Sequence, residues 1–282
     1  MIILPEMPEV ESIRRDLIGR LVGQQICDID VALPRLIKWP TATIFQAMLI
    51  GSRITDLKRR GKYLLLEMDN KNKLIIHLRM TGRLCYVTNG QEKDAYTRII
   101  FYLDNGDMLV YADTRTLGTL YTLDESEMWR IAGLANMGPE PLSAEFTVEY
   151  LQATLHKSKG KVKSFLLNQK YIGGLGNIYV DEALHLAGIH PACICCNIKP
   201  IAIENLHAAI NKVIGDGIAD GGTTFRDYRN GNGGKGSHQE KLFVYGRTGQ
   251  ACRNCGSLIE KTEIGGRGTH FCPKCQSEDR YK

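Results

Sequence analysis

Apolar residues near the N-terminus recur with the period of a helix. Val10, Ile13, Leu17 and Leu21 are spaced by three or four residues, which places their side chains on one helical face. The Pro-Glu pair at 8–9 suits a first helical turn, because proline needs no donor there and a carboxylate meets the positive end of the helix dipole. The pattern predicts a helix close to the start of the chain.

Between Lys62 and Asp113 the pattern changes to short runs rich in β-branched and aromatic residues. Asp-Asn and Asn-Gly pairs, which favour turns, separate these runs. The region therefore predicts antiparallel sheet, with strands at Tyr63–Met68, Leu74–Leu78, Arg98–Leu103 and Met108–Tyr111.

The helical period returns after the turn-rich sequence Met-Gly-Pro-Glu-Pro at 137–141, where we place a domain boundary. Apolar spacing then predicts helices at 147–156, 161–168, 178–186 and 201–214. The stretch from Gly221 to Gly236 is rich in glycine and basic residues and has no apolar period. It predicts a long loop of the kind that often carries function.

Composition and charge narrow the class of protein without identifying it. A length of 282 residues favours two domains over one, and 43% hydrophobic with 24% charged residues is typical of a folded globular protein. The net charge of +5 is compatible with a polyanionic partner but common in proteins without one. No signal-like segment and no apolar run of about 18 residues is present, so we expect no membrane association and a reducing cytoplasm.

Four of the nine cysteines form two tight pairs. Cys252 with Cys255 and Cys272 with Cys275 are two C-x2-C motifs separated by sixteen residues, a spacing typical of a zinc ribbon. Four thiolates complete a tetrahedral zinc ion and leave no position for water, so the predicted site is structural. Two disulfides or four free thiols are the alternative, which a reducing compartment disfavours.

The segment between the two cysteine pairs contains Gly-Gly-Arg-Gly-Thr at 265–269. As a hairpin tip it would present Arg267 on a slim backbone, in a position suited to phosphate contact. A solvated turn with an incidental arginine is the alternative, and spacing alone does not separate the two.

Taken together, several motifs resemble formamidopyrimidine-DNA glycosylase along nearly the whole chain. They are Pro-Glu-Met-Pro-Glu-Val-Glu at 5–11, Arg-Gly-Lys at 60–62, Gly-Leu-Gly-Asn-Ile-Tyr at 174–179 and the cysteine motifs with Gly-Arg-Gly-Thr. Motifs in this order are far more specific than any one alone.

The resemblance implies an α+β fold: an N-terminal antiparallel β-sandwich with flanking helices, then a helix-two-turn-helix domain and a four-cysteine zinc ribbon. With the periodicity it gives a sandwich domain at 1–136, a linker at 137–146, a helical domain with a lesion-capping loop at 147–247 and a zinc finger at 248–282. It implies one structural zinc, damaged double-stranded DNA as the partner, no required protein partner, a monomer and a bacterial cytoplasmic location.

The implied activity is excision of oxidised purines, such as 8-oxoguanine and formamidopyrimidines, followed by β,δ-elimination at the abasic site. A secondary amine attacking the sugar C1′ yields an iminium ion that eases elimination. The resemblance implies catalytic roles for Pro5 as nucleophile, Glu6 as proton shuttle, Lys62 and Arg267. It implies DNA contacts for Met80, Arg115, Leu117, Lys163, Asn177, Thr223, Thr224 and Tyr228, and zinc ligation by Cys252, Cys255, Cys272 and Cys275.

The sequence departs from the family at its start, because Met1-Ile2-Ile3-Leu4 precedes Pro5. A preceding residue turns the proline nitrogen into a tertiary amide, which is not a nucleophile. We hypothesise that translation begins at the codon read as Leu4 and that the initiating methionine is removed. Intact mass of the protein from its native host tests this, and a mature chain that retains Ile2 and Ile3 would contradict it.

Two alternatives remain at this stage. One is the sister group resembling endonuclease VIII, which removes oxidised pyrimidines by the same chemistry. The other is a zinc protein that binds lesions without cutting, which a blocked Pro5 would favour.

The sequence departs from the resembled family at two further places. Leu117 stands where the family often has phenylalanine, and Ser237-His238-Gln239 depart from an aromatic residue usually found nearby.

Overall fold

The computed structural model describes residues 5–91, 94–224, 231, 234 and 236–277. Within them, packing divides the chain into two compact units. The first comprises the residues up to Ala135 together with those between Asp220 and Gln239, and the second comprises Asn136–Ala219 and the residues from Glu240 onward. Met1–Leu4 and Tyr228, which carry predictions made above, lie outside the described residues.

The first unit combines three helices with two sheets. Its helices are α1 (Met7–Leu21), α2 (Ala42–Leu49) and α3 (Ala132–Ala135), and its strands are β1 (Ile26–Val31), β2 (Ile37–Trp39), β3 (Ile54–Arg60), β4 (Tyr63–Met68), β5 (Lys73–His77), β6 (Gly82–Val87), β7 (Thr97–Leu103), β8 (Met108–Asp113) and β9 (Thr119–Leu123). Short 3-10 turns occupy Pro34–Leu36 and Glu125–Arg130.

The strands form a four-stranded sheet in the order β1-β7-β8-β6 and a five-stranded sheet in the order β2-β9-β5-β4-β3. Every pairing is antiparallel except that of β2 with β9. One apolar core takes side chains from both sheets, such as Phe101 and Leu66, and from the predicted face of α1. Full burial of a Leu or Ile side chain stabilises by about 1.5–3 kcal/mol, so α1 is held by this core more than by its own propensity.

The four predicted strands are confirmed as β4, β5, β7 and β8 within two residues at each end. The sequence pattern missed β1, β2, β3, β6 and β9. For β1 and β3 the reason is local. Each contains a register shift, between Ile26 and Asp28 in β1 and between Ile54 and Asp56 in β3. An extra residue of this kind breaks the alternation of inward and outward side chains on which strand prediction depends.

The second unit is helical with a two-stranded hairpin. It contains α4 (Val148–His156), α5 (Val162–Leu166), α6 (Asn177–Leu186), α7 (Pro200–Ala219), β10 (Glu260–Ile264) and β11 (Arg267–Phe271), with 3-10 turns at Cys195–Asn197 and, at the boundary of the units, His238–Glu240. The four predicted helices are confirmed, although α7 runs five residues beyond the predicted end at 214. Among the described residues, no helix is both long and apolar enough to span a membrane.

The described part of the predicted loop packs with the first unit. The backbone N–H of Thr223 donates to Glu9 Oε1 at 2.7 Å, and that of Gly231 donates to Asp16 Oδ2 at 3.2 Å. The loop was predicted as part of a helical domain at 147–247, whereas these contacts attach it to α1. The linker at 137–146 and a separate finger at 248–282 stay predictions.

Candidate active site and zinc centre

The start of α1 joins the predicted catalytic residues to the predicted loop. Glu9 is wholly buried, and its carboxylate accepts the backbone N–H of Glu6 at 2.9 Å and the backbone N–H of Thr223 at 2.7 Å. One carboxylate therefore holds the segment that carries Pro5 and Glu6 beside the first residues of the loop. Pro5 and Glu6 are themselves buried.

The first loop residues fit closely against Glu9. Gly222 has a φ of +83°, and a Cβ there would lie 3.0–3.2 Å from atoms of Glu9. Thr224 is hydrogen-bonded to residues at the other end of the loop: its N–H donates to Gln239 Oε1, and its Oγ1 accepts the N–H of Gly236. This role of Glu9 was not predicted from the sequence. Its position three residues after Glu6 is that of a capping box, which was a signal for the bond to the N–H of Glu6 but not for the bond to Thr223.

Three basic residues, Lys58, Arg59 and Arg60, precede Lys62 within five positions, and the first two are paired with carboxylates of the first unit. Lys58 pairs with Glu67, and Arg59 Nε lies 3.2 Å from Glu11 Oε2. Burial opposes ionisation of Glu11, but hydrogen bonds from Arg14 and Arg15 outweigh it and lower its pKa to about 2. Lys62 follows Gly61, which turns the chain from β3 into β4 at a φ of +56°.

Three of the residues predicted to contact DNA lie in two neighbouring connections. Met80 is in the connection between β5 and β6 and is half-buried, while Arg115 and Leu117 are exposed between β8 and β9. Leu117 exposes 44% of its surface.

The hairpin of β10 and β11 presents Arg267 as the sequence predicted. Gly265 and Gly266 form its two-residue turn with φ values of +58° and +71°, and positive φ at both positions is the geometry of a type I′ turn. Arg267 is exposed directly after the turn. Asn177, the first residue of α6, donates from Nδ2 to the carbonyl oxygen of Gly268 at 2.9 Å, so two predicted DNA-contacting residues are adjacent.

Lys163 has a different environment from the one that the resemblance implied. Its side chain is fully buried, and its ammonium bonds to Asp181 Oδ1 at 2.6 Å and to the carbonyl oxygen of Gly268 at 3.0 Å. An ammonium in this position cannot meet a phosphate without breaking a buried ion pair. The structure instead connects Lys163 to the backbone of the hairpin that carries Arg267.

The four cysteines are brought together as a metal site. Their sulfur atoms all lie within 4.8 Å of one another, with Cys252 and Cys275 at 3.9 Å and Cys255 and Cys272 at 3.4 Å. Zinc–sulfur bonds of about 2.3 Å in a tetrahedron require sulfur atoms about 3.8 Å apart, so the residues fit zinc. Backbone N–H groups of Asn254 and Cys275 lie 3.4 Å from Cys252 Sγ and Cys272 Sγ, a contact that stabilises thiolate charge.

Helix α6 anchors the ribbon through three side chains that sequence reasoning missed. Glu182 is buried and accepts the backbone N–H groups of residues 243, 244 and 245 at 2.7–2.9 Å. Asp181 Oδ2 accepts the N–H of His270 at 2.8 Å, and His185 Nε2 lies 3.6 Å from Cys252 Sγ. The consecutive Asp-Glu in a buried helix was the available signal, because charged residues are rarely buried without partners.

Comparison with known proteins gives a consistent assignment. Residues 4–120 match the family model of the formamidopyrimidine-DNA glycosylase N-terminal domain. Residues 137–229 match that of the formamidopyrimidine-DNA glycosylase H2TH domain, and residues 249–277 match that of a zinc finger found in FPG and IleRS. The chain belongs to the formamidopyrimidine-DNA glycosylase family. The match to the zinc-finger model and the sulfur geometry together identify the four cysteines as the ligands of one structural zinc ion.

Individual members of the family cover almost the full length. The formamidopyrimidine-DNA glycosylase of Heliobacterium modesticaldum is 44% identical over 97% of this chain and 100% of its own, and that of Bacillus cereus is 42% identical over 97% and 99%. Solved structures of the Lactococcus lactis enzyme with DNA containing an abasic site, and with DNA containing N7-benzyl-Fapy-dG, match with a TM-score of 0.91 at 37% identity, covering 97% of this chain and 100% of theirs.

Proposed function

We propose that this protein is a DNA glycosylase that removes damaged bases from double-stranded DNA, with oxidised purines as substrates, and then cleaves the abasic strand. Family membership supports the glycosylase activity, and relatives of known structure are described with DNA containing Fapy-dG, carbocyclic 8-oxo-G and an abasic site. The observation that carries the finer proposal is the pair of hydrogen bonds to Glu9, which joins the Pro5–Glu6 segment to the loop at Thr223.

In the proposed reaction the secondary amine of Pro5 attacks C1′ of the damaged nucleotide. The N–C1′ bond forms as the glycosidic bond breaks, and the proton of the amine passes to the departing base. Glu6 then transfers a proton to the sugar ring oxygen as the ring opens to an iminium ion. The iminium withdraws electrons, so loss of a C2′ proton expels the 3′ phosphate, and a second elimination expels the 5′ phosphate. The free sugar fragment is then released from Pro5 by water.

The remaining residues take supporting roles in this proposal. Lys62, Asn177 and Arg267 contact phosphates near the lesion, which positions DNA without reading its sequence. Met80, Arg115 and Leu117 fill the gap that the everted nucleotide leaves, and Thr223, Thr224 and Tyr228 contact the damaged base. Lys163 acts indirectly, by fixing Gly268 beside Arg267. We propose that the protein acts as a monomer.

A free amine at Pro5 is required, so the residues before it must be absent from the active enzyme. We would prepare one protein whose first residue is Pro5 and one that retains Met1–Leu4, and incubate both with an 8-oxoguanine duplex and sodium borohydride. Borohydride reduces the iminium to a stable crosslink, and only the first protein should form it. Equal crosslinking by both proteins would refute Pro5 as the nucleophile.

Glu6→Gln in the protein that begins at Pro5 is the matched control. It should bind the duplex and zinc as the unsubstituted protein does, but excise the base far more slowly.

A second candidate function is excision of oxidised pyrimidines, because the Lactococcus lactis enzyme is also described with DNA containing an oxidised pyrimidine. Faster trapping on thymine glycol than on 8-oxoguanine would favour that function, and binding without trapping on either would favour a non-cutting lesion binder.

A further inference from the structure

Two connections at one end of the sandwich cross from one sheet to the other side by side. The first leads from β5 to β6, and the second leads from β8 to β9. The strand register pairs His77 with Thr119 in one sheet and Gly82 with Asp113 in the other. The fold therefore sets the residues around Met80 next to those around Arg115 and Leu117.

A single buried carboxylate bonds both connections. Asp113 is fully buried, and its Oδ1 accepts the hydroxyl of Thr81 at 2.5 Å and the N–H of Arg115 at 3.2 Å. Its Oδ2 accepts the N–H of Gly118 at 2.9 Å and the hydroxyl of Tyr111 at 3.3 Å. Four hydrogen-bond donors compensate the buried carboxylate for its lost hydration. Removing any one of them leaves part of the desolvation cost uncompensated.

Thr81 is the direct link between the two connections. Its Oγ1 donates to Asp113 and accepts the N–H of Arg115 at 3.0 Å. The residue after Met80 is thus hydrogen-bonded to the backbone of Arg115. This link depends on one hydroxyl group, which a substitution to valine removes with little change in shape.

Both connections pack tightly around the buried hydroxyl of Tyr111. A Cβ built on Gly118 would lie 1.7 Å from that oxygen, and one built on Gly82 would lie 2.6 Å from it. Neither position has room for a side chain. The connections are therefore close-packed at their bases as well as hydrogen-bonded.

The backbone beside Met80, Arg115 and Leu117 is held in a conformation that is costly for residues other than glycine. Arg79, before Met80, has a φ of +55°, and Thr116, between Arg115 and Leu117, has a φ of +53°. Such residues cost on the order of 1 kcal/mol each and persist only where the surroundings impose them. For Arg79 the restraint is visible, because its N–H donates to Nδ1 of buried His77 at 3.0 Å.

We propose that Thr81 and Asp113 are positioning residues that hold Met80, Arg115 and Leu117 as one preformed wedge before DNA binds. This inference rests on the proposed function, which assigns those three residues to the gap left by the everted nucleotide. Eversion costs a few kcal/mol, and a wedge that is already ordered loses no further conformational entropy when it inserts. The bonds of the Thr81 hydroxyl should therefore affect the excision rate most on DNA in which a base pair must be opened.

The test compares Thr81→Val with Thr81→Ser, because serine keeps the hydroxyl and valine does not. A duplex with 2-aminopurine beside the lesion reports unstacking by its fluorescence. Thr81→Val should slow unstacking and excision from this duplex by about 10- to 100-fold, the usual cost of misplacing a group by about 1 Å. Thr81→Ser should restore the rate. A duplex with a single-nucleotide gap opposite the lesion has no base pair to open, and there Thr81→Val should excise at the rate of the unsubstituted protein.

Loss of stability alone is controlled by Leu66→Ala, which creates a cavity in the core at β4 and replaces no residue of either connection. This variant should lower the melting temperature without changing the ratio of the rates on intact and gapped duplexes. Asp113→Asn is a second variant that should change that ratio in the same direction as Thr81→Val.

Two outcomes would overturn the inference: Thr81→Val and Asp113→Asn keep the ratio of the unsubstituted protein, or Thr81→Ser is as slow as Thr81→Val. Failure of the unsubstituted protein to excise from either duplex would instead refute the proposed function.

Discussion

The burial of Lys163 leads to a prediction that separates two roles for one cation. In Lys163→Met the side chain keeps its length and loses its charge, which leaves Asp181 buried without its ion-pair partner. Breaking a buried pair from one side costs about 3–5 kcal/mol. At about 2–4 °C for each kcal/mol in a protein of this size, the melting temperature should fall by roughly 10 °C.

The matched control is Lys161→Met. Lys161 lies two residues away and is exposed, so its substitution should change the free energy of unfolding by less than about 0.5 kcal/mol. Thermal melts of the zinc-loaded proteins, with the zinc content measured for each, compare the two variants. Zinc should remain bound in both, since neither lysine is a ligand.

DNA binding distinguishes the direct role from the indirect one. Removing one phosphate contact lowers the slope of log affinity against log salt concentration by about 0.9. If Lys163 acts by holding the hairpin, Lys163→Met should lower the slope in the unsubstituted protein but not in an Arg267→Gln background, where that contact is already lost. A further fall in the Arg267→Gln background, with an unchanged melting temperature, would refute the positioning role and restore a direct phosphate contact.

Three further predictions concern the zinc site, a buried histidine and two glycines. Cys272→Ser should lose zinc and DNA affinity together, measured by metal analysis and fluorescence anisotropy, because folding of the hairpin depends on the metal; wild-type affinity without zinc would contradict this. Burial, then the charges of Arg79 and Lys62, lower the pKa of His77 from 6.5 to about 3. The unfolded chain therefore binds a proton as the pH falls below 6.5 while the folded chain does not, so stability should drop by about 2 kcal/mol between pH 8 and pH 5. Urea unfolding should show a smaller drop in His77→Gln, and an equal one would refute the assignment. Gly118→Ala should destabilise strongly because its Cβ would lie 1.7 Å from the Tyr111 hydroxyl, whereas Gly19→Ala, in open space within α1, should stabilise by up to about 1 kcal/mol.

The sequence alone determined those features whose information is local. The face of α1 follows from apolar spacing, the zinc ligands from two C-x2-C motifs, and the exposed arginine from a glycine turn at 265–266. In each case the residues that interact are near one another in the chain, so that helix period, turn geometry or ligand spacing suffices to place them.

The tertiary structure decided which polar residues are buried and what they hold. Glu9 and the N–H of Thr223 are 214 positions apart, and Lys163 and the carbonyl of Gly268 are 105 apart. No period or motif spacing relates such pairs, and Asp113 gives no local sign that it bonds two connections. Their roles follow from burial, because a charged or polar group removed from water must find a partner wherever the fold brings one.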